Sequence, residues 1–300
     1  MSNFTWVCKI DWLTLTIKGG FGSSVKELDH DLAAALAYRA FESVGYQVDV
    51  PLERQMPSFG YAYAFTEPYN HVRIDVGANV EVQGLKMTLS GSVLDGIPAR
   101  DELLRNALRG GWKPTRIDIA LDALDTGVTI SSIRDAYMSN VNRSVQRSTR
   151  YIEKGKAHTF ELGSRTSEKF MRIYDKGAQQ RTLASWLRFE LECKGTYAVQ
   201  VGSALMSETA LCGVPTMLKM LHYPETKHEL LDAIAEVITG VDYVSPESVK
   251  GSSDTLLWLE KSVKPSLVKL HKENRAEFRA FLATVFDGIE ANEGIVAWDG

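Results

Sequence analysis

The chain has little of the chemistry that cross-links small proteins. Only 3 of its 300 residues are cysteines, and Cys8, Cys193 and Cys212 lie far apart with no C-x-x-C pair. The number and spacing of these residues indicate neither a disulfide framework nor a zinc site. We expect buried free thiols at all three positions.

Long apolar runs are also missing. No stretch approaches the roughly 18 apolar residues that a membrane-spanning helix needs. Lys9 and Asp11 interrupt the first dozen residues, which does not fit a signal peptide. We therefore expect a cytoplasmic protein with no membrane partner.

Several motifs of common enzyme classes are absent. The sequence has no G-x-x-x-x-G-K-[ST] phosphate loop, no H-E-x-x-H zinc motif and no G-x-S-x-G nucleophile motif. The stretch Gly20–Val25 follows a predicted strand but lacks the third glycine of a dinucleotide-binding fingerprint. The six histidines show no paired metal-ligand spacing, and we interpret His158, which opens a predicted strand, as a surface residue.

Charge is unevenly distributed along the chain. The formal net charge of -4 by itself argues weakly against a nucleic-acid ligand. Residues 142–194 nevertheless hold 12 Lys and Arg against 6 Asp and Glu, which gives this segment +6 and the rest of the chain -10. On charge alone, a solvated face explains the segment as well as a binding surface does.

The hydrophobic pattern predicts an α+β unit in residues 1–111. The alternating, β-branched run Lys9–Ile17 predicts a strand, and the helical spacing of Val25–Val44 predicts a helix. Three more strands and a helix follow, at Tyr61–Phe65, His71–Gly77, Leu85–Gly91 and Asp101–Leu108. The order of elements in this unit is β-α-β-β-β-α.

The same order is predicted again in residues 112–200. Its elements are a strand, a helix and three strands, at Arg116–Leu124, Ile130–Asn140, His158–Gly163, Lys169–Lys176 and Leu187–Lys194. KIDWLTLTI resembles RIDIALDAL, and GLKMTLSG resembles WLRFELECKG, which supports an internal duplication. We therefore expect an α+β fold with two mainly antiparallel sheets and helices on one face.

The composition changes after about residue 200. Helical spacing covers His228–Ile238 and Thr255–Phe286, and Pro265 breaks or kinks the second stretch. Residues 201–300 are therefore predicted to form a helical C-terminal region.

Three predicted strands of the second unit each place ionisable side chains on one face. Alternate residues of a strand point to opposite faces. The polar faces hold Arg116, Asp118, Ala120 and Asp122; Phe170, Arg172, Tyr174 and Lys176; and Arg188, Glu190, Glu192 and Lys194. For any one strand a solvated face explains this pattern. The combination over three strands is less usual.

The acidic members of these faces suit a metal ion. Asp118, the small Ala120 and Asp122 leave room above the sheet, and Glu190 adds a carboxylate from another strand. Hard divalent cations such as Mg²⁺ or Mn²⁺ prefer oxygen ligands of this kind.

The basic members suit a phosphate. Arg172, Lys176 and Arg188 are the cations. Between the first two lies Tyr174, whose phenol has an unperturbed pKa of about 10. Nearby positive charge must activate this phenol before it acts as a nucleophile. A metal, cations and a phenol together indicate phosphoryl transfer.

Three runs, in this order, resemble the Rep_trans replication initiation factors of rolling-circle plasmids, filamentous phages and some integrative elements. They are TRIDIALD (Thr115–Asp122), FELGSRTSEKFMRIYDKG (Phe160–Gly177) and LRFELECKG (Leu187–Gly195). IDWLTLTI, LSG at Leu89–Gly91 and TLLWLEKSVKPSL are similar too, so the resemblance covers most of the chain. The middle run is the specific one, because G-S-R-x-S-x-K-x-x-R-I-Y-D-K matches at many adjacent positions.

The resemblance implies a sheet related to HUH endonucleases but without their histidine pair, which agrees with the absence of H-x-H here. It implies a divalent metal held largely by acidic side chains, with Asp118, Asp122 and Glu190 as ligands. Tyr174 would attack the scissile phosphate, stay joined to the 5′ end and free a 3′ hydroxyl that primes synthesis.

The resemblance also implies roles for the cations. Arg172 and Arg188 would clamp the phosphate, and Lys176 would assist the phenol or the leaving group. The expected partner is single-stranded or hairpin origin DNA, bound over a limited basic patch that includes Arg165 and Lys169. A host helicase, a host polymerase and a second copy in a homodimer are further expected partners.

Alternatives stay open at this point. A catalytically silent regulator with an initiator fold would bind DNA, although it has no need for acids clustered beside a phosphate site. A conjugative relaxase would use the same chemistry as an initiator. Tyr151, in the run R-S-T-R-Y-I-E-K, is the second candidate nucleophile, and Tyr174 is otherwise a packed strand aromatic.

Overall fold

The computed structural model forms two compact units, Met1–Val249 and Lys250–Gly300. It describes residues 5–18, 28–69, 71–78, 83–97, 100–140, 148–154, 157–181, 185–206, 210–238, 271, 274 and 278. In the second unit, the amide of Phe278 donates to the carbonyl of Asn274 over 3.0 Å. The rest of the predicted helix Thr255–Phe286, with Pro265, lies outside the described residues. Among these residues, no helix has both the length and the apolar character of a membrane span.

The first unit is a mixed α+β structure. Its strands are β1 (Thr5–Lys18), β2 (Glu53–Gln55), β3 (Tyr63–Thr66), β4 (Arg73–Ala78), β5 (Gln83–Ser90), β6 (Lys113–Leu124), β7 (Thr149–Lys154), β8 (Ala157–Leu162), β9 (Lys169–Asp175) and β10 (Trp186–Lys194). Its helices are α1 (His30–Ser43), α2 (Gly91–Gly96), α3 (Arg100–Arg109), α4 (Ile130–Asn140), α5 (Lys176–Gln180), α6 (Gly195–Ala204), α7 (Val214–Met220) and α8 (Glu229–Ile238), with a 3₁₀ turn at Ala210–Gly213.

All ten strands belong to one antiparallel sheet, in the order β2-β3-β4-β5-β1-β6-β10-β9-β8-β7. The prediction of two sheets is therefore wrong. The reason is the long strand β1, which pairs with β5 on one side and with β6 on the other. Inter-strand hydrogen bonds between β1 and β6 thus join the two predicted sheets edge to edge.

The two halves of the sheet have the same strand order, counted outward from the central pair β1 and β6. One half runs β1-β5-β4-β3-β2 and the other β6-β10-β9-β8-β7. This order agrees with the predicted repeat, whose duplication stays a prediction. The predicted repeat missed the strands β2 and β7 and the helices α2 and α5. The compact unit Met1–Val249 crosses both predicted boundaries, at 111/112 and 200/201.

The apolar face of the sheet carries the core. Ile117, Ile119 and Leu121 of β6 are fully buried, as the strand pattern predicts. Helices α1, α4 and α6 pack against the sheet, and their apolar residues form one hydrophobic cluster with these strands. Burial of this surface contributes about 25 cal/mol per Å² of apolar area to folding. These three helices therefore cover one face, and the polar face, bordered by α2 and α5, is available for function.

Candidate active site

A cleft of about 950 Å³ lies over the polar face of the sheet. Residues of β1, β5, β6, β7, β8, β9 and β10 line it, together with residues of α2 and α5. Its lining holds eight Lys and Arg and five Asp and Glu side chains. An excess of cations in a concave surface focuses a positive potential, which favours an anionic ligand.

The strand register brings the predicted catalytic residues into neighbouring positions. Tyr174 on β9 lies opposite Arg188 on β10, and Arg188 lies opposite Asp122 on β6. One step along the strands, Arg172 lies opposite Glu190. Antiparallel pairing thus gathers side chains that are up to 66 residues apart in sequence.

Tyr174 is held by an acid. Its hydroxyl donates a hydrogen bond of 2.8 Å to Oε2 of Glu190. Burial, and then the negative charge of Glu190, raise the pKa of Tyr174 well above its usual value. This is the opposite of the expected activation by positive charge, because burial and the contact with Glu190 outweigh the lowering effect of Arg188 on the pKa. The phenol is therefore protonated at neutral pH, with a proton acceptor already in contact.

Arg188 anchors the floor of the cleft. Its Nε and Nη2 donate to the two carboxylate oxygens of Asp122 over 2.6 and 2.7 Å, and its Nη1 donates to Asp11 over 2.8 Å. Although burial opposes the charge, the bond to Asp122 and the charge of Asp11 raise the pKa of Arg188. The predicted phosphate clamp is thus a permanently charged group that two carboxylates orient.

Arg172 has a free donor. Its Nη2 pairs with Glu190, whereas its buried Nε has no hydrogen-bond partner among the described residues. The buried indole Nε1 of Trp186, which also lines the cleft, lacks a partner in the same part of the chain. An unsatisfied buried donor costs about 1–3 kcal/mol, so a ligand acceptor at these atoms is stabilising.

Lys176 lies at the mouth of the cleft, at the first position of α5. Its Nζ donates to Gln179 over 2.9 Å. Burial, and then the nearby charge of Arg188, lower the pKa of Lys176. The ammonium group therefore gives up a proton more readily than an exposed lysine does.

The three predicted metal ligands lie on this polar face but not at one point. Asp118 and Asp122 are four residues apart on β6, which corresponds to about 13 Å, so one ion does not contact both. Arg188 occupies both oxygens of Asp122, and Arg116 forms a similar fork with Asp118 over 2.9 and 2.6 Å. The described residues contain no cluster of three or more His, Cys, Asp or Glu side chains placed for a metal.

Asp118 and Glu190 still have the donor chemistry of a divalent ion. Burial is the main cause that raises the pKa of Asp118 to about 6, and Glu190 and Glu192 add to it against the opposing effect of Arg116. Negative charges therefore crowd at this point, where a cation would relieve their repulsion. Asp118 and Glu190 would supply oxygen donors to such an ion, which would take the place of Arg116 and Arg172 as their cationic partner, whereas Asp122 stays in its ion pair with Arg188.

The two predicted DNA-binding residues lie in different places. Arg165 is more than half exposed, lines the cleft and pairs with Glu161. The Nζ of Lys169 lies 4.2 Å from the ring centre of Tyr197 on α6. Lys169 is therefore on the side that the helices cover, away from the cleft.

Tyr151 also lies outside the cleft. It is on β7 opposite the buried Phe160, and Arg134 of α4 covers its ring at 4.2 Å. Its hydroxyl forms a hydrogen bond of 3.0 Å with Nδ1 of His158. The neighbours Arg150 and Ile152 line the cleft, so strand alternation directs Tyr151 to the opposite face.

Asp11 is the main site residue that the sequence interpretation missed. A β-bulge between Ile10 and Trp12 lets Asp11 reach Arg188 from the polar face of β1. Gly91 makes room for it, because a Cβ there would lie 2.7 Å from Oδ1 of Asp11. The sequence did hold one indication of this role. The run KID of the first half aligns with RID of the second, so that Asp11 corresponds to Asp118.

The fold and the cleft define a mixed α+β protein that gathers a phenol, carboxylates and guanidinium groups on one large antiparallel sheet. The family model of the Rep_trans replication initiation factors matches residues 113–285, which is more than half of the chain. The chain therefore belongs to the Rep_trans family of replication initiation factors.

A solved structure has the same fold. It is the rolling circle replication initiator protein from Geobacillus stearothermophilus, with a TM-score of 0.63 and 18% sequence identity. The alignment covers 78% of this chain and 97% of the other. A search of curated proteins found no significant match. The relation to HUH endonucleases stays a prediction.

Proposed function

We propose that this protein initiates rolling-circle replication by nicking one strand at an origin, with Tyr174 as the nucleophile. The observation that carries the proposal is the contact between the Tyr174 hydroxyl and Glu190 inside a cation-rich cleft. Membership of a replication initiation family supports origin DNA as the substrate. The solved relative is a rolling circle replication initiator protein, which supports the mode of replication.

The proposed step transfers a phosphodiester from DNA to the protein. Glu190 accepts the phenolic proton over the existing 2.8 Å hydrogen bond as the Tyr174 oxygen attacks phosphorus. The bond from phosphorus to the 3′ oxygen breaks, and Lys176 donates a proton to that oxygen. The 5′ phosphate stays on the tyrosine. The free 3′ hydroxyl primes a host polymerase while a helicase separates the strands.

The donors around Tyr174 orient the phosphate. The partly exposed guanidinium of Arg172 takes one non-bridging oxygen, and the charge of Arg188 stabilises the negative charge that develops in the transition state. Asp11 and Asp122 hold the Arg188 guanidinium rigid, so it pays little reorganisation cost when the substrate binds.

A divalent ion completes the proposal. Asp118 and Glu190 would hold Mg²⁺ or Mn²⁺, which would neutralise charge on the phosphate and the leaving oxygen. Nicking is then expected to stop in excess chelator and to return when Mg²⁺ or Mn²⁺ is added back. Full activity in excess chelator would remove the metal from the proposal and leave the roles of Tyr174 and Glu190 intact.

The direct test is isolation of the covalent intermediate. Wild-type protein is incubated with a labelled oligonucleotide that carries the origin, and the products are separated on a denaturing gel. Mass spectrometry of the adduct then locates the linkage, which is expected at Tyr174. DNA binding without an adduct would favour the silent regulator. A linkage at Tyr151 would contradict the placement of the active site in this cleft.

A further inference from the structure

The polar face of the sheet continues beyond the cleft into the half formed by β1 to β5. Trp12 and Ser90, which are paired neighbours on β1 and β5, line the edge of the cleft. The next row on the same face pairs Thr14 with Thr88, and Thr88 with Arg73. This half therefore shares a continuous polar surface with the cleft.

Residues at corresponding positions of the two halves can be compared through the strand register. Thr88 on β5 corresponds to Glu190 on β10, because GLKMTLSG aligns with WLRFELECKG and both strands are next to the central pair. Arg73 lies opposite Thr88 as Arg172 lies opposite Glu190.

The strand register also relates the neighbouring pair of residues in each half. Lys86 on β5 corresponds to Arg188 and lies opposite Asp75, which takes the place of Tyr174. The first half thus keeps a cation at both basic positions. It lacks the phenol and the acid that contacts it.

The charges of this half favour an anion. The buried Asp75 accepts from Arg73 over 3.0 and 2.7 Å and pairs with Lys86 at 3.2 Å. Two cations thus face one carboxylate, which leaves one net positive charge beside the half-buried hydroxyls of Thr14 and Thr88. The exposed acid Glu53 lies at the outer edge, on β2.

A loop adds aromatic surface to the same place. The amide of Ser58 donates to Asp75 over 2.7 Å, and Arg73 donates to the carbonyl of Met56 over 2.6 Å. These bonds fasten the loop 56–61 to the polar face. Phe59 at its tip is fully exposed, and Lys86 lies 4.7 Å from the ring centre of Tyr61. The exposed ring of Phe59, on a loop that is bonded to Arg73 and Asp75, suits stacking of unpaired bases.

We propose that this surface, the N-terminal face, binds single-stranded DNA that continues from the cleft. It is formed by Thr14, Arg73, Lys86, Thr88 and the loop 56–61. The proposal rests on the proposed function for the identity of the ligand. From β10 to β4 the sheet spans four inter-strand steps, or about 19 Å. A strand seated in the cleft extends along this face and is held there without being cut.

The test compares variants of the full chain in DNA binding. The probes are fluorescent oligothymidylate of roughly 24 nucleotides, longer than one usual site, and a duplex of the same length. Lys86→Gln keeps Arg73 as the partner of Asp75, and Phe59→Ala changes a fully exposed side chain. Arg39→Gln, on the exposed surface of α1, is the matched control for lost charge.

Phe59→Ala is expected to weaken oligothymidylate binding about fivefold or more, since one base stack is worth at least that factor. Lys86→Gln is expected to weaken binding too, because it removes a phosphate contact. Lys86→Gln should also reduce the slope of log K against log salt by about 0.7, whereas Phe59→Ala and Arg39→Gln should leave the slope unchanged. Unfolding curves that match the wild type show that both variants are folded.

Two results would overturn the proposal. One is affinity and slope equal to wild type in both variants. The other is a loss confined to the duplex probe, which would give the face a different ligand. Binding of oligothymidylate needs no nicking, so these results are independent of the adduct at Tyr174. A wild-type protein that binds but forms no adduct removes the proposed nicking and leaves the test of this face unaffected.

Discussion

The two halves of the sheet share a strand order and differ in what the polar face carries. In the second half, Tyr174 donates to Glu190 beneath the cleft. In the first half, the corresponding places hold Asp75 and Thr88, and the cations are retained. The comparison teaches that the same strand order supplies equivalent positions in both halves, and that two side chains distinguish the proposed nicking site from the proposed binding face.

The halves agree in how they stabilise charge. Each places a buried carboxylate in a two-bond fork with an arginine, Asp75 with Arg73 and Asp122 with Arg188. Removal of one partner from such a pair leaves an uncompensated buried charge. These two-bond ion pairs are therefore common to both halves, and the contact of a phenol with an acid distinguishes the second half.

The largest expected effect comes from removal of the Tyr174 hydroxyl, which tests the proposed difference between the two halves. Tyr174→Phe deletes one hydroxyl and little volume, so we expect complete loss of the covalent adduct with unchanged fold and DNA affinity. Tyr151→Phe is the matched control, since that residue faces α4, and it should retain nicking. An adduct that persists in Tyr174→Phe would contradict the assignment.

The next test removes the proton acceptor. Glu190→Gln keeps the shape of the side chain and should lower the nicking rate by about 10²- to 10⁴-fold, the usual contribution of a general base. Glu192→Gln, two residues along the same strand face and paired with Arg116, is the control. Equal rates in the two variants would show that the contact with Tyr174 is not used in catalysis.

A third test measures whether the ion pairs of Asp75 with Arg73 and of Asp122 with Arg188 stabilise the fold to the same extent. Asp122→Ala and Asp75→Ala should each lower the free energy of unfolding by about 3–5 kcal/mol, as expected for a broken buried pair. Urea denaturation measures both. A loss below about 1 kcal/mol for Asp122→Ala alone would set the halves apart and make Asp122 available to a ligand.

The pH dependence of nicking tests Lys176. A general acid must be protonated, and burial and Arg188 lower the pKa of Lys176 below its usual 10.5. The rate should therefore fall on the alkaline side, at a pH below 10.5. In Lys176→Arg this alkaline decrease in the nicking rate should move to higher pH, because a guanidinium keeps its proton. If the rate of the Lys176→Arg variant decreases at the same pH as that of the wild type, a group other than Lys176 donates the proton to the leaving oxygen.

The smallest expected effect concerns DNA affinity. Arg165→Ala removes an exposed cation of the cleft and should reduce the salt slope by about 0.7 for single-stranded DNA. Lys169→Ala should leave the slope unchanged, because its ammonium packs on Tyr197. The reverse result would place the DNA footprint on the side of the helices.

Much of the fold followed from local patterns. Alternation predicted β1, β6, β9 and β10, and helical spacing predicted α4 with the observed bounds Ile130–Asn140. The short β2, with three exposed residues, buries no apolar side chain and so left no signal. The edge strand β7 was missed because its alternation is weak, with both faces partly wet.

The site was partly predictable for the same reason. Period-two alternation is a property of the strand itself, so it placed Tyr174 beside Arg172 on one face, as observed. It gave no information on pairing across strands. The forks that occupy Asp118 and Asp122, and the contact of Tyr174 with Glu190, depend on the register.

The sequence by itself determined the class of the protein, the polar faces of three strands and the tyrosine on one of them, because these depend on neighbours in the chain. Only the tertiary structure decided that two predicted sheets are one, since that depends on β1 bonding to both β5 and β6. It also decided that Asp11 reaches Arg188 and that Glu190, rather than a cation, contacts the phenol. These contacts join residues remote in sequence, and their energies depend on burial and distance, which no local pattern encodes.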